Sequence, residues 1–182
     1  NTRSRLIATE QPGTDDAAVV PEALPQITFS HSMTFHLNGH EAFVFHVPSA
    51  HTDGDARLFI RDANVMHTGD ALVNGIFPFI DLDSGGSVAG YIAAQKDMLS
   101  LIGAETRIIP GHGPLANKAD LQAAHDMLAD ARDRVQALVD DGRSEEEVLA
   151  ANPLEMYHED WNWQFITTER MTRTLYRDLT GD

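Results

Sequence analysis

Cysteine is absent from the 182 residues. That excludes disulfides and thiolate nucleophiles, and it leaves His, Asp and Glu as the strong metal ligands. Positive charge is scarce as well, with 13 Lys and Arg against 28 Asp and Glu and a net charge of −15. Nucleic acid and anionic membrane surfaces are therefore not expected as partners, because both call for clustered basic side chains. No run approaches the roughly 20 apolar residues that span a bilayer. Repeats and low-complexity tracts are missing too. The chain opens at Asn1 with neither methionine nor a charged-then-apolar leader, so any targeting segment is expected to have been removed or never to have belonged to it. The compartment stays open, the periplasm and the exterior included.

What is present suits a globular chain. Hydrophobic residues make up 42% and charged ones 23%, a balance that predicts one domain over residues 1–182 with its own core. Residues 10–26 hold three prolines, one glycine and several acids, so the stretch 1–26 is expected to be extended or poorly ordered. Strands are predicted at Ile27–Phe29, Met33–Leu37 and Glu41–Val47, with Asn38-Gly39 as a hairpin turn between the last two. Arg57–Ile60 and Asn64–His67 form a second predicted pair, and Thr106–Ile109 a short buried strand.

Between them, residues 71–86 read as a long loop with the apolar centre Ile76-Phe77-Pro78-Phe79-Ile80, fit either to wall a pocket or to fill the core. Ser87 caps a predicted helix running to about Ile102 with Gly103 at its stop. Helical spacing recurs from Lys118 to Val139. Ser144-Glu145-Glu146-Glu147 has the form of a capping box, and a last helix is predicted over Gln164–Leu179. Strands first and helices later predict a mixed α/β layer, a sheet with helices packed on one face.

Three polar signatures stand where apolar runs end. They are His51 in Pro48-Ser49-Ala50-His51-Thr52-Asp53-Gly54-Asp55, Asp70 in His67-Thr68-Gly69-Asp70-Ala71, and His112 in Pro110-Gly111-His112-Gly113-Pro114. Two imidazoles and a carboxylate at one sheet edge could hold a metal. Each also has a plainer reading, as a turn histidine, a turn cap or a loop residue. The glycines flanking His112 make it the most specific of the three, since they let the backbone approach whatever the imidazole touches. Asp53 and Asp55 are read as turn formers and Asp81 and Asp83 as solvated loop acids. Trp161 and Trp163, with His158 nearby, are assigned to packing of the last helix rather than to a binding platform.

The ordered trio resembles the later motifs of the metallo-β-lactamase superfamily, over about residues 27–116 and in outline through the C-terminal helices. The resemblance implies an α/β fold, half of an αββα sandwich with helices on the outer face of a mixed sheet. It further implies a dinuclear zinc centre, with His51 on the first metal, Asp70 as the bridging and catalytic carboxylate, and His112 on the second. The implied activity is hydrolysis by metal-bound hydroxide of a small-molecule ester, thioester, lactone or lactam, with the lactam ranked last because Asp70 stands where several true β-lactamases carry another residue.

The family's upstream signature His-x-His-x-Asp-His is not found. The early histidines His31, His36, His40 and His46 fall in the hairpin region at other spacings. The chain is accordingly expected to correspond to the C-terminal half of such a hydrolase, short of metal ligands and inactive in isolation. It is also expected to self-associate or to pair with the missing N-terminal half through the uncovered sheet face. The alternative is a non-catalytic binding or assembly module that keeps the fold.

Overall fold

The computed structural model describes residues 25–181, so the expected extended stretch lies largely outside the described residues. Five strands form one sheet in the order β1-β2-β3-β4-β5: β1 Ser32–Leu37, β2 His40–Val47, β3 Asp55–Ile60, β4 Val65–Val73 and β5 Arg107–His112. The first four run antiparallel as a meander. β5 joins β4 in parallel, a pairing that needs a crossover. Helix α1 (Val88–Leu101) supplies it. Helices α2 (Lys118–Asp140), α3 (Glu145–Ala151), α4 (His158–Trp161) and α5 (Thr168–Thr180) follow. The chain is thus a mixed α/β layer, as its sequence predicts.

Local chemistry accounts for many of the element boundaries. Asn38 and Gly39 both take positive φ, 53° and 80°, the conformation a two-residue hairpin turn demands. The Ser87 hydroxyl accepts from Gly90 N, and capping boxes open α2 at Asn117 and α3 at Ser144. Phe59, Met66 and Ile108 point from the sheet into a core completed by Tyr91 and Met98 of α1, Leu121 and Leu128 of α2, and Met171 and Leu175 of α5. Arg57 is buried on the same face, where it pairs with Asp97 and lies 3.9 Å from the Phe45 ring centre. Burial lowers its pKa and the Asp97 carboxylate pulls it back up. Leu58, Ile60 and Val65 alternate onto the opposite face, outside that core.

Three predicted boundaries are corrected. Ile27–Phe29 is not a strand; β1 pairs with β2 alone, and Ile27 is 65% exposed. The β4 strand does not stop at His67. It continues to Val73, because Ala71, Leu72 and Val73 are buried. The last helix begins at Thr168 rather than Gln164, since the Thr167 hydroxyl caps it by accepting from Arg170 N and Asn162 Oδ1 accepts from Thr168 N at 2.9 Å. Residues 163–166 are left free to fold across the sheet edge.

A candidate dinuclear metal edge

His51 lies just beyond β2, in a turn where Asp55 accepts from both the backbone N and the hydroxyl of Thr52, each at 3.0 Å. Asp55 is therefore the turn former the sequence suggests. The His51 ring is oriented from the other side. Its Nδ1 lies 2.8 Å from the carbonyl oxygen of Phe79, an acceptor, so Nδ1 carries the proton and donates. Nε2 of the neutral ring is then an unprotonated lone pair, the arrangement typical of a metal-ligating histidine held by an outer partner.

Asp70 sits within β4, one residue after a break in the ladder. Gly69 has φ +54°, and the β4–β5 register shifts on both sides of it, a local irregularity of the kind that re-aims a side chain. On the neighbouring strand Gly111 leaves the space the carboxylate uses; a Cβ there would overlap Asp70 Oδ1. The Tyr91 hydroxyl, fully buried, donates to the Asp70 carbonyl at 2.6 Å. Burial above all, then the charge of Asp70, pushes that phenol well above its ordinary pKa, so it stays a donor. His112 ends β5, its carbonyl accepting from Asn74 N at 2.9 Å. Pro110 is tolerated inside this strand because β5 lies at the edge of the sheet.

These elements bring the three predicted residues together. His51 Nε2 is 3.7 Å from Asp70 Oδ2, and His112 Nε2 is 3.4 Å from Asp70 Oδ1. Both distances are long for hydrogen bonds. Two ligands of one zinc at about 2.05 Å in tetrahedral geometry stand about 3.3 Å apart, so each separation has the length of one edge of a coordination shell. With Nδ1 donating to Phe79, Nε2 faces the Asp70 carboxylate, an approach relieved by either a proton on Nε2 or a bound cation. The two imidazoles and the carboxylate are thus a set of donor types, at separations of 3.7 and 3.4 Å, that could take part in holding a metal. Among the described residues no group of three or more His, Asp or Glu is placed to hold a metal ion by itself.

The donors open into a cavity of about 330 Å³ lined by His51, Asp70, Val73, Phe79, His112, Trp163 and Phe165. The loop 74–86 resolves its own ambiguity by doing both things: Phe77 and Ile80 are buried in the core while Phe79 walls the cavity. Trp163 corrects its assignment to helix packing alone. Its indole N–H donates to Phe77 O at 2.9 Å, and its ring meets Phe165 edge-on at 5.5 Å. Sequence reasoning missed Phe165 entirely. The available signal was the Trp163-Gln164-Phe165 pair of aromatics just before a Thr cap, too polar in context to read as core. Asp81 and Asp83 stay outside the cavity, Asp81 capping a 3₁₀ turn and Asp83 lying 3.5 Å from Arg177.

A family model for the metallo-beta-lactamase superfamily matches residues 8–123, well over half of the chain. The chain belongs to this superfamily. No curated protein matches it significantly. Among solved structures, a metallo-beta-lactamase from Pontibacter korlensis aligns with a TM-score of 0.52 at 16% identity, over 59% of this chain and 50% of that one. The DIM-1 metallo-beta-lactamase aligns at 0.51 and 16%, with the same coverage of 59% and 50%. The stereoselective inverting sec-alkylsulfatase Pisa1 from Pseudomonas sp. aligns at 0.62 and 15%, over 85% of this chain and 26% of its own. At such identities the likeness is one of fold. The chain spans about half the length of the two β-lactamases and about a quarter of the alkylsulfatase.

Proposed function

We propose that this chain carries one edge of a metal-dependent hydrolase centre, with His51 and His112 as terminal ligands and Asp70 as the bridge. The observation that carries the reading is the pair of Nε2–carboxylate separations, 3.7 and 3.4 Å, combined with a His51 ring whose proton is committed to Phe79. Zinc bound there would supply Lewis acidity and activation of water near neutral pH. The remaining work falls to the chain's own residues. Phe79, Trp163 and Phe165 exclude water from one side of the cavity and bind an apolar portion of the substrate. Tyr91 holds the Asp70 backbone, and Gly111 keeps its carboxylate in reach of both imidazoles.

An ester, thioester or lactone is the substrate class this centre would serve. Two donors per cation fall short of the three protein ligands usual for catalytic zinc, so the described residues by themselves are expected to bind zinc weakly and turn over slowly or not at all. A panel of aryl esters, thioesters and lactones offered to zinc-loaded protein tests the reading. Any zinc-dependent turnover should vanish in Asp70→Asn. Turnover indifferent to that substitution would place the chemistry elsewhere.

A second reading, an assembly module, is favoured by the sheet face opposite the main core, where Leu58, Ile60, Val65 and the 38% exposed Ile109 lie with no helix among the described residues assigned to cover them. Apolar patches of this kind mark interfaces. Self-association at micromolar concentration in sedimentation would support it, and a stable monomer would count against it.

A further inference from the structure

We propose that Arg170 is a specificity residue that binds an oxyanion carried by the substrate at a distance from the reacting bond. The inference rests on the reading that the His51–Asp70–His112 cavity takes substrate. Arg170 lies behind the aromatic wall of that cavity, its guanidinium carbon 4.4 Å from the centre of the Phe165 ring and 5.4 Å from that of Phe79. Phe79 in turn meets His51 edge-on, with ring centres 5.5 Å apart. The guanidinium is thus two ring contacts from the first imidazole. Phe79 also lines a neighbouring cavity of about 310 Å³, where Arg170, Arg173 and Arg177 stand with Asp81, Asp83 and Glu145, the last two carboxylates already paired with Arg177 and Arg173. A ligand filling the first cavity and passing the Phe79 rim would reach it.

Among the arginines of its own helix this group is set apart by its charge environment. Acidic residues outnumber basic ones by 28 to 13, and the neighbouring arginines of the same helix are neutralised: Arg173 by Glu145 and Glu169, Arg177 by Asp83. Arg57, Arg132 and Arg134 have carboxylate partners as well. Arg170 has none among the described residues; the one hydrogen bond of its guanidinium runs from Nη1 to the carbonyl of Phe165 at 2.8 Å. A guanidinium carries five N–H donors in a planar fork. Stacking on aromatic rings fixes the plane of that fork and leaves the Nε–Nη2 edge, away from the Phe165 carbonyl, for two-point recognition of an oxyanion. A carboxylate, sulfate ester or phosphate ester shares that chemistry.

Binding of small aromatic probes in the presence of chelator isolates this contact from any metal. The probes are 2-naphthoate, 2-naphthyl sulfate and 2-naphthyl phosphate, with neutral 2-naphthamide as reference, titrated calorimetrically into the full chain and into Arg170→Gln and Arg170→Lys. At least one oxyanion should bind about tenfold tighter than the amide, as a charge-assisted pair warrants. That preference should disappear in Arg170→Gln and survive in part in Arg170→Lys. Repulsion from Asp70, Asp81, Asp83 and Glu145 lowers the oxyanion-to-amide ratio alike in all three proteins, so it cancels when the ratios are compared between them. The oxyanion with the largest ratio identifies the group recognised. An equal ratio in the parent and Arg170→Gln, or no binding of any probe, overturns the proposal. Because no zinc is present, neither result depends on whether the metal reading holds, and zinc titrations of the same proteins report on that reading separately.

Discussion

The two imidazoles that flank Asp70 are held in different ways. The His51 side chain is only 21% exposed, its ring fastened to Phe79, which packs on Phe165 and through it on Trp163. His112 is 63% exposed and depends on its backbone, a glycine-flanked strand end tied to Asn74. One flank is built by side chains gathered from distant parts of the chain, the other by the local conformation of five residues. The difference teaches that the His51 ring is fixed by side-chain contacts, whereas the His112 ring is constrained through its backbone alone.

The contrast can be broken first on the His51 side. Phe77→Ala removes a fully buried ring that meets Tyr157 edge-on at 6.5 Å and whose backbone receives the Trp163 indole. Urea unfolding should show a loss of about 3–5 kcal/mol, with zinc-induced changes at His51 weakened and those at His112 spared. Gly111→Ala acts on the other flank and on the bridge. The new Cβ would overlap Asp70 Oδ1, so stability should fall by about 1–3 kcal/mol while zinc binding is lost at both imidazoles.

A smaller effect sharpens the comparison through pH. The Tyr157 hydroxyl donates to Asp130 at 2.6 Å, and burial first, then that carboxylate, pushes its pKa from 10.0 up to about 12. The unfolded chain therefore releases the phenol proton before the folded one, and stability falls as pH rises from 10 to about 12. Tyr157→Phe should flatten this window in thermal unfolding. The same rise in pH should disturb the Trp163 fluorescence on the His51 side and leave His112 unaffected.

Local signals in the sequence carry the hairpin and the helix starts, whereas contacts between distant segments leave no mark in it. Asn38-Gly39, Ser87, Ser144 and the spacing from Lys118 onward each carry their own conformational instruction, and the predicted hairpin and helices follow from them. The three polar signatures could be placed at one edge because each ends or interrupts an apolar run. The length of β4 was not legible, since Gly69-Asp70 reads as a turn unless the burial of Ala71, Leu72 and Val73 is known. Phe79, Trp163 and Phe165 come from segments more than eighty residues apart, and only tertiary packing shows that they share one wall. Arg170 is likewise ordinary in sequence, one of several arginines on an amphipathic helix, until its lack of a carboxylate partner is seen.

The central claim, two cations sharing Asp70 with one imidazole each, is tested most directly by titrating zinc into chelator-stripped protein while following the histidine ring resonances by NMR. The account predicts weak binding that shifts His51 and His112, leaves His125 and His158 in place, and is abolished at both rings by Asp70→Asn. Tight binding that survives Asp70→Asn, or shifts confined to other histidines, would contradict it.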